Sequence, residues 1–207
     1  MKTLTTAILA WLIFSTAQAG TIAIDSGAGL ANNRTPETVA VLIHPAWAPN
    51  IGDAVWISYA ATGWKDAVFQ PYIGLVPAMS VYHQFTSPEA DLLLKVWADN
   101  TAEVFLDGIS LMAPTFTEDV ACTGQPIGCR PQDFGLITAS LGAGAHTLRF
   151  DVYQFAGAPN STGNPFGLLY SGVAAWEDQP VHTPEPGTFG LIGAAMVVAG
   201  VWRRKRA

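Results

Sequence analysis

The chain has 207 residues, with sixteen acidic and ten basic side chains and a formal charge of −6. Its two ends hide a stronger bias: residues 20–183 hold fifteen of the acids and five of the bases, a net −10. Such a surface repels nucleic acid and anionic lipid, which excludes a nucleic-acid-binding role. A body of this size builds one domain that buries about 70% of its unfolded surface.

Met1 to Ala19 carries one early charge, Lys2, then an apolar stretch from Ala7 to Phe14 and the small-x-small site Ala17-Gln18-Ala19. This reads as a secretory signal peptide that is removed before folding. An uncleaved N-terminal anchor is the alternative.

Between the ends, short apolar runs alternate with Gly, Pro and Asn, and no long stretch repeats every 3.6 residues. Such punctuation predicts an all-β domain. Strands are expected near Thr21–Asp25, Thr38–Ile43, Ala54–Tyr59, Tyr72–Val76 and Ser80–Phe85. Further strands are expected near Asp91–Ala98, Glu103–Leu106, Phe134–Ser140, His146–Phe155 and Gly167–Trp176. Ten strands at this spacing favour a sandwich over a parallel sheet.

Two stretches are the most legible. Leu92 to Ala98 runs into the turn residues Asp99-Asn100, and Val104-Phe105-Leu106 is followed by Asp107-Gly108, a tight-turn pair. Farther on, Leu148, Phe150 and Val152 alternate with Arg149, Asp151 and Tyr153 after the turn Gly142 to Ala145. The period of two gives that strand a core face and a wet face. Together with Asn164-Pro165-Phe166-Gly167-Leu168-Leu169-Tyr170, these motifs resemble the galactose-binding-like jelly-roll sandwiches, which include many carbohydrate-binding modules. The resemblance covers roughly residues 85–177, with Trp56-Ile57-Ser58 as an earlier strand of the same sandwich. It implies a jelly-roll β-sandwich and says little about activity, because one fold serves many functions.

Chemistry is harder to find. Cys122 and Cys129, the only cysteines, bracket a short ring inside the insertion Pro114 to Asp133; in an exported chain they are expected to form a disulfide. A metal site is the alternative, yet two cysteines with no histidine nearby make half a zinc site at best. His44, His83, His146 and His182 are scattered, and no nucleophile elbow, metalloprotease helix or phosphate loop is present. The expectation is therefore that the chain is not an enzyme. A pair of glycosidase carboxylates, defined in space and not in sequence, is the reservation. Exposed aromatic rings stack on sugars while Asp and Asn grip hydroxyls. Trp97 and Trp176 lie in apolar runs and read as core. Trp47 and Trp64 lie in loop contexts, so Trp47, Trp64, Asp99 and Asn100 are the candidate carbohydrate contacts; for Asp99 and Asn100 the plainer reading is a turn that bonds its own backbone. No cofactor is implied. The acidic body allows a calcium ion of the kind common in such sandwiches, although no EF-hand-type loop names its ligands.

The C-terminus is the clearest address. Pro184-Glu185-Pro186 is followed by an uncharged run from Thr188 to Trp202 and the basic cluster Arg203-Arg204-Lys205-Arg206. As a helix that run reaches roughly 22 Å, against a hydrocarbon core of about 30 Å, so it is short for a permanent span. Trp202 and the four bases would hold its end at the cytoplasmic interface. These features resemble the PEP-CTERM sorting signal read by membrane-embedded exosortases; a plain tail anchor is the alternative. The resemblance implies cleavage near Pro184-Glu185-Pro186 after passage through the inner membrane, with exosortase and the secretion machinery as partners. The expected layout is a signal peptide at 1–19, a β-sandwich domain at 20–179, and a linker with a sorting signal and short transmembrane helix at 180–207. The expected role is structural or adhesive at the cell surface or in the extracellular matrix, in bacteria that secrete exopolysaccharide and form biofilm. A lectin with a definite glycan and a small surface glycan hydrolase are the rival readings.

Overall fold

The period-two stretches become strands of two antiparallel sheets in the computed structural model, which describes residues 19–64, 76–116, 126–154 and 164–177. In chain order the strands are β1 Gly20–Asp25, β2 Ala31–Asn32, β3 Val39–Ala40, β4 Ile57–Ser58, β5 Met79–Ser87 and β6 Ala90–Asp99. They continue with β7 Thr101–Leu106, β8 Ile109–Met112, β9 Gly135–Leu141, β10 Gly144–Tyr153 and β11 Gly167–Trp176. Residues Gly20–Trp176 form one compact unit.

One sheet runs β3-β4-β11-β6-β9, and β1 lies end to end with β4 along the same edge of β11. The other runs β2-β5-β10-β7-β8. Taking the eight longer strands, β1-β11-β6-β9 faces β5-β10-β7-β8, and the chain changes sheet at every step except the β7–β8 hairpin. That strand order is a jelly roll, the double Greek key that closes a sandwich without long free edges. The expected fold class is therefore borne out, while the expected signal peptide and C-terminal helix lie outside the described residues.

Alternation decides which side chains enter the core. Along β6, Ala90, Leu92, Leu94 and Val96 are buried, while Asp91, Leu93 and Lys95 point outward. Leu148, Phe150 and Val152 of β10 meet them from the other sheet. Phe150 stacks on Tyr170 of β11 with ring centroids 4.2 Å apart, which ties the two layers together at the centre.

The structure corrects several sequence expectations. Asp151 and Tyr153, assigned to a wet face, are only 9% and 6% exposed. The expected strand Thr38–Ile43 shrinks to Val39–Ala40, because the chain leaves the sheet toward Pro45. The one at Ala54–Tyr59 shrinks to Ile57–Ser58, because residues 51–54 close a tight turn through Gly52 at φ 57°. The short strand β2 has no counterpart in the expected set, whereas β8 is the second of the two short strands that a turn at Asp107-Gly108 implies. Tyr72–Val76 lies almost wholly outside the described residues, as does Phe155. Asp99-Asn100, expected as a turn, is the corner where the chain crosses from one sheet to the other; its peptide bond is cis.

The loops divide between two poles. The tight turns at 88–89, 107–108 and 142–143 share one pole with the paired ends Gly20 and Trp176. The strand ends that border the longer connections 41–56, 59–78, 113–134 and 154–166 lie at the other. At the tight-turn pole Asp107 (φ 51°) and Gly108 (φ 84°) both take the left-handed conformation, as a type I′ hairpin turn requires. Asp107 is clamped there: Oδ2 lies 2.8 Å from Nδ1 of His146, and Oδ1 accepts the Thr147 N–H at 2.8 Å.

Candidate functional site

The long-loop pole carries the candidate site. Asp99 is the last residue of β6 and is delivered to that pole by the strand itself. The segment between β3 and β4 folds back over the sheet edge, where the Ala48 N–H bonds the Cys129 carbonyl and the Trp47 N–H bonds the carbonyl of His44. Trp47 is thereby laid on Trp56, ring centroids 4.2 Å apart and nearly parallel. Gly167 makes room for the pair, since a Cβ there would sit 3.2 Å from both indole rings. Around them Ala48, Ala54, Trp97, Cys129 and Leu169 form a second hydrophobic cluster, distinct from the central core.

Polar groups inside this cluster are matched. The Trp47 indole N–H donates to Asp99 Oδ2 at 2.8 Å, Asn100 Nδ2 donates to Asp99 Oδ1 at 3.1 Å, and the Trp56 indole donates to the Ala48 carbonyl at 2.7 Å. Trp47, Asp99 and Asn100 are 4%, 5% and 7% exposed. Their rings and polar atoms are thus turned inward, so Trp47, Asp99 and Asn100, three of the candidate carbohydrate contacts, present little surface to an outside molecule. The reason is that the loop packs down on Trp56 instead of standing off the sheet.

Trp64 differs, being 37% exposed. Its segment is pinned by reciprocal bonds between Thr62 and Phe166, and by the Trp64 N–H on the Leu42 carbonyl at 2.9 Å. Gly63 permits that approach, since a Cβ there would lie 2.2 Å from the Leu42 oxygen. Trp64 meets His44 edge to face at 4.5 Å, and His44 lies 6.3 Å from Trp47. The four residues singled out from sequence are therefore linked, with His44 as the joint that sequence reasoning left unassigned. Burial lowers the His44 pKa, which keeps the imidazole neutral near pH 7. Among Trp47, Trp64, Asp99, Asn100 and His44, it is Trp64 and His44 that offer surface for an external contact, and the other three are support.

Cys129 is buried at 1% and is not a free thiol, while Cys122 lies outside the described residues. No group of three or more His, Cys, Asp or Glu side chains suited to a metal ion occurs among the described residues. Of the two Asn-x-Thr triplets, Asn33 is tied to Ser80 through both ends of its amide, and Asn160 is outside the described residues.

The family described as the PEP-CTERM protein-sorting motif matches residues 182–206. The chain carries that sorting motif at its C-terminus. It includes Pro184-Glu185-Pro186 and the basic cluster, and it marks the chain as exported and sorted. A search of curated proteins gives no match. Among solved structures, the chain is similar to a family 35 carbohydrate binding module from Clostridium thermocellum: TM-score 0.35, 12% identity, covering 76% of this chain and 98% of that one. It is also similar to CBM35 from Paenibacillus barcinonensis, with TM-score 0.34, 13% identity and coverage of 76% and 98%. A third is the module CBM36 in complex with calcium and xylotriose, with TM-score 0.31, 9% identity and coverage of 75% and 99%. At such scores the assignment of the fold rests on this chain's own strand order.

Proposed function

We propose that the chain is an exported surface or extracellular-matrix protein that exosortase sorts by its C-terminal motif, and that its jelly roll serves a structural or adhesive role in an exopolysaccharide-rich matrix. The observation that carries this reading is the sorting motif at 182–206. The domain geometry supports it: the chain enters and leaves the sandwich at the tight-turn pole, through Gly20 paired with Trp176, while the strand ends bordering the longer connections lie at the opposite pole. Loops held by a rigid scaffold are where contacts with other molecules concentrate. The test follows the native chain in cell fractions with and without the host exosortase. Loss of surface and matrix material, with full-length chain held in the inner membrane, supports the proposal, and unchanged distribution refutes it.

A second reading, glycan binding at the long-loop pole, is favoured by the exposed ring of Trp64 packed edge to face on His44. A glycan array with the Trp64→Ala variant beside the wild type tests it. Flat signals for both dismiss it, and release of reducing ends in place of retention would favour the hydrolase reading.

A further inference from the structure

The outer face of the β1-β11-β6-β9 sheet is open to solvent and carries little net charge, in a body that holds −10 over residues 20–183. Register sets its side chains in three rows across the four strands. The middle row is Ala23, Val173, Leu93 and Thr138, with Leu93 45% exposed. The row on one side holds Lys95 between Ser171 and Leu136, which is 51% exposed, and the row on the other holds Asp91 between Ala175 and Ser140. Both charges are held in place: Lys95 Nζ lies 4.9 Å from the centre of the Phe134 ring, and Asp91 Oδ1 accepts the Ser140 hydroxyl at 3.0 Å. The other sheet differs, because Glu103, Arg149 and Asp151 crowd its outer face.

Three features fit this face to a second copy of itself. Exposed leucines on neighbouring strands present apolar area that gains from leaving water. Two bodies of such negative charge repel, so they meet only where the local charge is balanced. Most specifically, the order Asp91, Leu93, Lys95 along β6 is self-complementary. A two-fold axis lying along the Leu93 row turns the strands of one copy antiparallel to those of the other, so Leu93 meets Leu93 and each Lys95 meets the other copy's Asp91. Leu136 then meets Ser140, and Asp25, the remaining charge of these rows, meets Thr21. An axis along the strands would instead set Lys95 on Lys95 and Asp91 on Asp91, so charge selects the first arrangement. It also keeps the strand directions of the two sheets aligned, as face-to-face sheets pack. Four strands about 4.8 Å apart and three rows about 6.7 Å apart make a face of about 400 Å². The pair therefore buries about 800 Å², the size of a weak, reversible contact.

We infer that the chain self-associates through this face, as a two-fold dimer with β6 packed on β6 and a Lys95–Asp91 pair on either side of Leu93. The inference rests on the sheet geometry and stands apart from the sorting and glycan readings. The experiment takes the chain purified from the producing cells, its length fixed by intact mass, in low-salt buffer where surface charge pairs are least screened. Sedimentation equilibrium follows it from about 1 μM to about 1 mM. The expected result is a monomer–dimer equilibrium with a dissociation constant on the order of 100 μM. Leu93→Glu, which sets two carboxylates face to face, should weaken it by more than about tenfold. Lys95→Asp should weaken it by about tenfold, and adding Asp91→Lys to Lys95→Asp should restore the wild-type constant to within about threefold, because the pairs reform with their signs exchanged. A chain that stays monomeric throughout the range, self-association untouched by Leu93→Glu and Lys95→Asp, or a double exchange as weak as Lys95→Asp alone would each overturn it. Should Leu93→Glu fail to fold, Lys95→Asp and the double exchange, both at exposed strand positions, decide the outcome.

Discussion

Trp47 and Asp99, fifty-two positions apart in sequence, meet through a buried 2.8 Å hydrogen bond from the indole N–H to Oδ2. A loop and a strand end are thereby locked together at the long-loop pole. Hydrogen bonds to charged groups contribute about 1.5–3 kcal/mol, and a buried acceptor left unpaired costs its full desolvation. Trp47→Phe keeps an aromatic ring against Trp56 but removes the donor and part of the buried indole, so it should destabilise the domain by about 3 kcal/mol in urea unfolding. A loss below about 0.5 kcal/mol would mean that solvent replaces the indole.

The two histidines of the sandwich that pair with side chains work in opposite directions with pH. The hydrogen bond to Asp107 raises the His146 pKa above 6.5, partly opposed by burial and helped by the Gly142 carbonyl and the Asp107 charge. Its stabilisation is therefore complete below pH 6.5 and fades as pH rises through the folded value. For Asp107, burial acts to raise the pKa, but the bonds from His146 and the Thr147 N–H, with the imidazolium charge, bring it below 3.8. That contribution is present above pH 3.8 and fades as pH falls through the folded value. His83 is different: burial lowers its pKa, against the attraction of Asp25, and Nδ1 meets the Tyr170 hydroxyl at 2.8 Å. Its contribution is complete above pH 6.5 and is lost as pH falls below that value.

Thermal melts between pH 4.5 and 8.5 separate the pair. The penalty of His146→Gln should be largest below pH 6.5 and shrink at alkaline pH, whereas the penalty of His83→Gln should be largest above pH 6.5 and shrink in acid. Penalties independent of pH would remove the histidines from the account.

Trp64→Ala should destabilise the domain by about 2–3 kcal/mol, because the residue is only 37% exposed and its ring packs on His44. If the long-loop pole binds glycan, the same variant should lose retention in affinity electrophoresis. Retention equal to the wild type removes Trp64 from any contact.

We propose that Cys129 pairs with Cys122. Intact mass under non-reducing alkylation should show no free thiol. Cys122→Ser should cost about 2.5 kcal/mol, the chain-entropy value for so small a ring. Alkylation of both cysteines in the native protein would refute the pairing.

The parts of the fold that were legible in sequence are those set by local rules. The Gly167–Trp176 strand appears with its expected bounds, and Asp107-Gly108 forms the expected turn, because alternation and left-handed backbone preference act over a few residues. Burial of Trp47 was not legible. Proline-flanked loops suggest exposure, but whether a loop stands off or folds back depends on a partner such as Trp56 and on room such as Gly167 provides. The face shared by Arg149, Asp151 and Glu103 was half visible. Alternation marked Arg149 and Asp151 as neighbours on one side of a strand, but the placement of Arg149 opposite Phe105 and of Asp151 opposite Glu103 depends on register between strands forty-odd residues apart.

Exosortase sorting is the central claim, and replacing Glu185 within Pro184-Glu185-Pro186 tests it most directly. In cells carrying Glu185→Ala, immunoblots of separated fractions should show full-length chain accumulating in the inner membrane and loss of the shorter product from the surface and medium. Processing and surface delivery indistinguishable from the wild type would contradict the account.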